Sequence, residues 1–547
     1  MDPRELVRLY HRATKHHPRR YARGPHGLDW DTQPDPFRRY AGTEVLELAH
    51  PPVEPSPAFD AIVQEGGAPP APVDRDSVSR LFRHALGLSA WKVYETARWS
   101  LRMNPSSGNL HPTEGYLVSG PIAGLSVEGL VAHYAPAAHA LELRARLDAA
   151  SWARLAAGLP RGAFLVGLTS ILWRESWKYG ERAYRYCQHD AGHAIAALAY
   201  SASCLGWRLR LLDASSSAEL RSLLGAASEG EAEVEEPDVL LAVLPGDGSE
   251  SAPGLAPEAF EGLESLAWNG TPNELSPERV EWEAAEACWL ATEKPRGAAP
   301  AWTPPAPRDA TAALERPLSA HTILRQRRSA VAMDGRSSMP AEAFYALLER
   351  CMPRAGRVPF ASLPWRPRVQ LGLYVHRVEG LERGLYALLR EEEGGAAWRA
   401  ALDPGFAWTR PPACPESLPL FLLAARDSRG LASAVSCEQA IAGDGAFSLG
   451  MFADLGWIEE LGSWAYPRLY WEAGCVGQTL YLEAEAAGLR GTGIGCYFDD
   501  AVHQSFGLRG ERFQSLYHFT IGGAVEDTRL QTEPPYPTEP TSPEGTG

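Results

Sequence analysis

The chain repeats itself. Residues 190–207, DAGHAIAALAYSASCLGW, align without a gap with residues 472–489, EAGCVGQTLYLEAEAAGL, and both segments open on an acid-Ala-Gly triplet. A later apolar run that ends in glycine, LLAVLPG at 240–246, resembles LYHFTIGG at 516–523. Because the repeated segments lie so far apart in the sequence, the repeat predicts two copies of one fold. A symmetric homodimer fused head to tail would give this pattern.

Each copy mixes helical and strand patterns, so we predict an α+β fold class. Amphipathic helices are predicted near 77–86 and 341–351, and short β-type runs such as GYLVSG, AFLVGLTSI, VQLGLYVHR and PLFLLAAR separate the helices. The repeated segment is itself a helix rich in Ala, Gly and Ser. Such a helix suits close packing, and we expect it in the core or between the copies.

Stretches rich in Pro, Ala and Gly mark the divisions of the chain. The predicted parts are an N-terminal extension, a first domain, a linker, a second domain and a disordered tail, at 1–73, 74–290, 291–315, 316–530 and 531–547.

Composition excludes several functions. The net charge of −16 over 547 residues opposes binding to nucleic acid or to an anionic membrane, because both need a basic face. The opening MDPRELVRLYHR lacks the apolar core of a signal peptide, and no apolar run is long enough to span a membrane. Eight cysteines without a CxxC pair indicate reduced thiols. We therefore expect a cytoplasmic protein.

The stretch WKYGERAYRYCQHDAGHAIAALAY at 177–200 allows three interpretations. His189 and His193 have a zinc-like spacing, but the second copy has Trp471 and Cys475 at those positions, so we predict no metal site. A basic recognition helix is opposed by the acidic flanks and the acidic total. The remaining interpretation is the wall of a pocket.

Two further stretches indicate chemistry. NPSSGNLHPTEGYLV at 104–118 contains a tight turn whose hydroxyl, amide and backbone donors could bond the edge of a flat heteroaromatic ring. HTILRQRRSAV at 321–331 opens the second copy with a compact cationic cluster, and guanidinium groups bind phosphate in a bidentate manner. Taken singly, the first stretch also fits an ordinary turn, and the second also fits a solvated basic patch.

Together these motifs resemble the FMN-dependent nitroreductase superfamily, over roughly 75–250 and 320–530. The shared features are Arg-Arg-Ser at a domain start, a Pro-Ser-Ser-Gly-Asn loop and a late glycine-rich turn before a final strand. Within the superfamily the chain is most similar to the SagB-type dehydrogenases, which oxidise azoline rings in ribosomal peptides and carry a Lys-Tyr-Gly motif, here 178–180. The resemblance implies a nitroreductase-like fold in two tandem copies that form an intramolecular pseudo-dimer.

The resemblance also implies that FMN lies between the copies, which both contribute to its site. The implied catalytic residues are Lys178 and Tyr179, with hydride transfer from an azoline or related intermediate to flavin N5. The implied substrate is a small molecule or a modified peptide, with a biosynthetic partner protein and further homo-oligomerisation left open. The implied cofactor-binding residues are Arg327, Arg328, Ser329, Pro105, Ser106, Ser107, Asn109, Gly493, Ile494, Gly495 and Arg529.

The reciprocal site is expected to be degenerate. The first copy has residues 208–212, RLRLL, at the positions of the glycine-rich turn, and DRDSVSRLF near the position of Arg-Arg-Ser. We therefore predict one FMN site per chain. The superfamily often has a basic residue where this chain has Val331, which leaves an NAD(P)H role in doubt. An NAD(P)H-dependent reductase of nitro, quinone or enone compounds and a non-catalytic scaffold subunit are the two alternatives.

Overall fold

Two antiparallel sheets organise the computed structural model, which describes residues 1–226, 233–246, 253–306 and 318–537. The first sheet has seven strands, in the spatial order Val45–Glu47, Ala140–Leu147, Gly129–Ala135, Thr113–Ser119, Phe164–Ile171, Glu235–Leu244 and Arg208–Leu211. The second sheet has six strands, in the order Leu420–Ala425, Gly384–Leu388, Val369–Val375, Phe447–Asp454, Phe513–Gly522 and Arg490–Ile494. The first sheet has one extra edge strand, Val45–Glu47. The other six strands follow one another along the chain in the same order as those of the second sheet, and each has the equivalent neighbours.

The helices also repeat. In each copy a short helix follows the fourth shared strand, and a long helix then crosses to the edge strand. We name Ala183–Cys204 the first long helix and Tyr466–Ala486 the second long helix. The remaining α-helices are Pro3–Ala13, Phe59–Ile62, Arg75–Ala85, Ala149–Ala156, Leu172–Tyr179, Ser217–Leu224, Glu283–Ala291, Ala320–Gln326, Ala341–Arg350, Glu392–Ala401, Arg429–Val435, Ile441–Asp444, Gly456–Leu461 and Asp499–Ser505.

The hydrophobic core has a shared centre and two outer parts. The largest apolar cluster contains residues of both copies and includes both long helices. Smaller clusters lie on the outer face of the first sheet and of the second sheet. The strands at 113–119 and 447–454 are buried along their whole length, and the polar residues at their ends, such as Glu114 and Asp454, are buried with them. The predicted α+β class with two tandem copies is confirmed.

The two long helices cross at equivalent glycines. A Cβ on Gly192 would lie 2.5 Å from the Trp471 carbonyl oxygen and 2.9 Å from Gly474 Cα. A Cβ on Gly474 would lie 2.5 Å from the His189 carbonyl oxygen. Each glycine therefore meets its own counterpart, as residues on the axis of an isologous interface do. The acid-Ala-Gly repeat exists because two helix backbones touch at this point.

The ends of the chain join the copies further. In the N-terminal extension, His11 Nδ1 lies 2.9 Å from the hydroxyl of Tyr466 at the start of the second long helix. At the other end, Gln531–Glu533 pairs with strand Leu88–Tyr94, which pairs in turn with Ala97–Arg102. The short strands Tyr40–Ala41 and Thr271–Pro272 also pair.

The prediction of a disordered tail from 531 onward is wrong for its first residues. Besides the strand at 531–533, Tyr536 is buried, and its hydroxyl donates to the Pro136 carbonyl (2.7 Å) and accepts from the Leu88 N–H (3.0 Å). This aromatic residue anchors the segment on the first copy. Residues 538–547, and the part 307–315 of the predicted linker, lie outside the described residues.

No helix among the residues that the structure describes is long and apolar enough to cross a bilayer.

Gly192→Ala should destabilise the protein by about 1–3 kcal/mol, because the new methyl group would collide with backbone that cannot move aside. Thermal unfolding would measure this. Gly430→Ala is the matched control, since Gly430 is helical and has no atom within 4 Å of an added Cβ. Equal melting temperatures for the two variants would contradict the close helix contact.

Candidate functional site

A cavity of about 920 Å³ lies between the two copies. This volume is within the range of roughly 300–1,000 Å³ that is usual for small-molecule sites. The predicted site residues that line it are Pro105, Ser106, Ser107, Asn109 and Tyr179 from the first copy, and Arg327, Arg328, Ser329, Gly493, Ile494 and Gly495 from the second. Eleven residues separated by up to 390 positions therefore meet around one space (495 − 105 = 390).

Two guanidinium groups form one end of the cavity. Arg327 is buried and donates to the carbonyls of Arg102 (2.9 Å) and Met103 (3.2 Å), while Arg328 donates to the Ser89 carbonyl (3.0 Å). Within the described part of the chain, neither guanidinium has a carboxylate within ion-pair distance. Burial, followed by the charge of Arg327, lowers the pKa of Arg328 to about 9. Two desolvated cations side by side are unfavourable until an anion pairs with them, so this end fits a phosphate.

Ser329 and the predicted glycine-rich turn lie beside this cationic end. The prediction of a turn is wrong for these residues. Arg490–Ile494 is the edge strand of the second sheet, because its backbone pairs with strand Phe513–Gly522. The Tyr481 hydroxyl lies 2.9 Å from Ser329 Oγ and accepts from the Gly493 N–H at 2.9 Å. This single phenol therefore joins the Ser329 loop to the edge strand.

Glycine is required on this strand for a reason that the sequence did not show. The space that a side chain on Gly493 would take holds the phenol of Tyr517, and the corresponding space at Gly495 holds the ring of Tyr186. Two aromatic side chains thus lie against the backbone of the cavity wall.

The Pro-Ser-Ser loop forms the other side of the cavity. The carboxylate of Asp190, on the first long helix, accepts from the backbone N–H and the hydroxyl of Ser107, both at 3.1 Å. Ser106 Oγ accepts from the His111 N–H at 2.8 Å, and the Asn109 side chain donates to the Ser100 carbonyl at 2.8 Å. These hydrogen bonds to other groups of the protein therefore fix the conformation of the loop.

The second copy uses its equivalent acid in the same way, to hold the loop that precedes a strand. Its counterpart, Glu472, accepts from the N–H groups of Arg368 (2.8 Å) and Val369 (3.2 Å), at the start of the equivalent strand. The acid retained in both copies is the sequence signal that could have placed Asp190 in the site.

Lys178 and Tyr179 lie beside the tip of the loop. An added Cβ on Gly108 would lie 2.5 Å from the Tyr179 hydroxyl and 3.2 Å from Lys178 Nζ, and Gly108 has φ +60°. The glycine therefore leaves room for both side chains. Tyr179 lines the cavity, and Lys178 lies just behind the lining. Burial, and then the charge of Glu175, raises the pKa of Tyr179 well above 10, so its phenol keeps its proton at neutral pH.

The structure does not bring Arg529 into the site. Its exposed guanidinium pairs with Asp527 at 2.8 Å, and it is not among the residues that line the cavity. The cationic end of the cavity therefore consists of Arg327 and Arg328, with Ser329 beside them.

The histidines and arginines of the first long helix have structural partners. Arg185, together with Arg182 just before the helix, pairs with the buried Asp499 at 3.0 and 3.3 Å, and the Arg182 side chain also donates to the Gly495 carbonyl. His193 has Gln478 at one ring nitrogen and Tyr517 at the other, and the His189 ring stacks on Tyr517. The sequence indicated the lining residues Tyr186, Asp190 and His193 only as part of a stretch expected to form a pocket wall, and it did not single out Tyr481 or Tyr517. Those two tyrosines gave no signal, because aromatic residues in buried segments are indistinguishable from ordinary core.

The reciprocal position is filled. The counterpart of the cavity, between residues 211–217 and 464–471, has a volume of about 50 Å³. Trp464 and Trp471 occupy it, and Arg468 forms a buried ion pair with Asp213 across it. The asymmetry that the sequence predicts is thus present in the volumes of the two spaces.

Comparison with known proteins is consistent with this architecture. Residues 69–242 match the model of the Nitroreductase family. A putative nitroreductase from Anabaena variabilis superposes with a TM-score of 0.67 at 20% identity, over 95% of this chain and 99% of that one. The chain has the nitroreductase fold.

Two other solved structures are partial likenesses with low TM-scores, and they add nothing to the assignment of the fold. The Escherichia coli microcin synthetase McbBCD complex has a TM-score of 0.27 at 16% identity, over 45% of this chain and 95% of that one. A putative nitroreductase from Exiguobacterium sibiricum, solved in complex with FMN, has a TM-score of 0.21 at 16% identity, over 41% and 92%. No curated protein matches the chain.

Asp190→Asn should make the stability less dependent on pH. Burial raises the pKa of Asp190 to about 7, so the folded state favours the protonated acid, and wild-type stability falls as pH rises from about 4 through 7. An amide is neutral and can still accept from Ser107. We expect the variant to melt at a higher temperature than wild type at pH 8, and at nearly the same temperature at pH 4. A constant difference across this range would contradict the pKa shift.

Proposed function

We propose that this protein is an FMN-dependent oxidoreductase with one FMN per chain, bound between its two copies. The observation that carries the proposal is the pair of guanidinium groups, Arg327 and Arg328, that line the cavity with no carboxylate at ion-pair distance among the residues that the structure describes. A ligand with a phosphate would supply the missing negative charge.

The rest of the cavity fits the other parts of FMN. Ser329 adds a hydroxyl beside the guanidiniums, and the Pro-Ser-Ser loop supplies polar groups on the opposite wall. Between them lie the rings of Tyr186 and Tyr517 and the flat backbone of Gly493 and Gly495, which suit an aromatic ring system. When bound, FMN would supply the hydride acceptor or donor.

We further propose that the reaction is a dehydrogenation, of an azoline or a related small-molecule or modified-peptide intermediate, in the manner of the SagB-type enzymes. The Lys-Tyr-Gly motif supports this. Gly180 has φ +54°, and a Cβ there would lie 2.6 Å from Gly24 Cα and 2.7 Å from the Arg23 carbonyl oxygen, so the N-terminal extension fixes the motif in place.

The two candidate catalytic side chains then take different roles. Lys178 is the proton acceptor in this proposal, because its amine lies beside the tip of the Pro-Ser-Ser loop and an amine can serve as a general base. Tyr179 keeps its proton and orients the substrate by donating a hydrogen bond. A peptide substrate would come from a separate biosynthetic partner protein.

Changing Arg327 and Arg328 together to Ala should reduce bound flavin from about one FMN per chain to less than about a tenth of that, since the phosphate would lose its charged partners. Flavin released from the purified protein, and quantified per chain by absorbance, measures this.

The control is the double variant with Arg208 and Arg210 changed to Ala, near the reciprocal position. Arg210 pairs with Glu65, so this variant should keep its flavin. Equal losses in the two double variants, or two FMN per chain in the wild type, would contradict a single site. A wild type that takes up no FMN would favour a scaffold role.

Lys178→Ala should retain flavin and lose at least about 100-fold in turnover, which is the contribution typical of a general base. The assay is anaerobic bleaching of the flavin absorbance by an azoline substrate. Unchanged bleaching would remove Lys178 from the mechanism. Steady consumption of NAD(P)H with a quinone acceptor would instead favour a reductase.

A further inference from the structure

Two cysteines that the proposed reaction does not use lie together at the cavity wall. Cys496 lines the cavity and directly follows Gly495. The segment around Cys437 is fastened to the same stretch on both sides: the Phe498 N–H donates to the Val435 carbonyl (2.7 Å), and the Gln439 side chain donates to the Cys496 carbonyl (3.0 Å). Both cysteines are only half-buried. Cys496 is therefore reachable from the cavity, and Cys437 is held beside it.

The surroundings of Cys496 favour a thiolate. Its interaction with the Cys437 thiol, then with the His16 ring and the charge of Arg182, lowers the pKa of Cys496 to about 5. His16 Nδ1 accepts from the Ala22 N–H at 2.9 Å, which leaves the other ring nitrogen for the sulfur. The nearby acidic groups are Glu438 and Asp499.

The other six cysteines differ. Four of them, Cys187, Cys288, Cys351 and Cys475, are buried. Burial raises the pKa of the two half-buried ones, Cys204 and Cys414. Thiolate character and access to a cavity therefore coincide only at Cys496, and its neighbour is a second thiol.

The backbone also holds Cys437 in an unusual conformation. Cys437 and Glu438 have φ of +53° and +61°, two consecutive non-glycine residues in the left-handed region. Such a conformation is unfavourable and persists only where the surroundings impose it.

We propose that Cys437 and Cys496 form a thiol–disulfide exchange site for small organic disulfides. The Cys496 thiolate attacks one sulfur of the disulfide, the S–S bond breaks, and one thiolate leaves. Cys437 then loses its proton and attacks Cys496 Sγ of the mixed disulfide. This step forms the Cys437–Cys496 disulfide and releases the second thiolate. The cysteine pair is oxidised by two electrons, the small disulfide is reduced to two thiols, and the protons of the cysteines go to those thiols.

The order of attack follows from the positions of the two thiols. Cys496 lines the cavity, whereas Cys437 is not among the lining residues. Cys496 is therefore the attacking thiol and Cys437 the resolving thiol.

The test uses the reduced full-length protein and iodoacetamide at pH 6, with mass spectrometry of the digested peptides. We expect Cys496 to be alkylated at least ~10-fold faster than Cys414, which is also half-buried and whose pKa burial raises despite the neighbouring Arg410 guanidinium. In a separate sample that has not been alkylated, oxidised glutathione should produce a peptide linked through Cys437 and Cys496.

Variants separate the two roles. Cys437→Ser should accumulate glutathione on Cys496, Cys496→Ser should leave Cys437 unmodified, and Cys414→Ser should behave as wild type. Equal alkylation of Cys496 and Cys414, or no linked peptide from wild type, would overturn the proposal. The site needs no flavin, so the test is made on flavin-free protein, and failure to bind FMN would leave this inference intact.

Discussion

The contact between Gly192 and Gly474 is the constraint on which the rest of the structure depends. Two helix backbones approach so closely there that a methyl group on either glycine would overlap the other helix. This approach places the two sheets on opposite sides of a shared apolar centre and brings the loops of one copy to the edge strand of the other. The cavity exists because these two long helices lie in contact.

A symmetric contact has produced an asymmetric pair of spaces. Acidic residues at equivalent positions, Asp190 and Glu472, hold the loop before the equivalent strand in each copy. In the second copy Glu472 also receives the buried guanidinium of Arg390, and tryptophans fill the adjoining space. In the first copy Asp190 has no such cation and carries a raised pKa. Fusion into one chain allows this divergence, because the two copies no longer share one sequence.

Charge is distributed around the open cavity in two ways. Arg182 and Arg185 share the buried carboxylate of Asp499 and serve to fix the segment at Gly495. Among the described residues, Arg327 and Arg328 donate hydrogen bonds to backbone carbonyls only, and their charge is available to a ligand. The same residue type is therefore structural in one cluster and available in the other, and the presence or absence of a carboxylate decides which.

The sequence by itself determined the repeat, the α+β class, the close packing of the long helices and eleven of the residues that meet at the cavity. These features are carried by short motifs whose chemistry is local. Tertiary structure alone decided that the glycine-rich segment is a strand, since its backbone pairs with Phe513–Gly522, and that the segment at 531–533 is ordered, since it pairs with Leu88–Tyr94. It also decided that Arg529 lies apart from the site, and that tyrosines distant in sequence complete the wall. Pairing partners and burial are properties of the folded chain, and no local pattern encodes them.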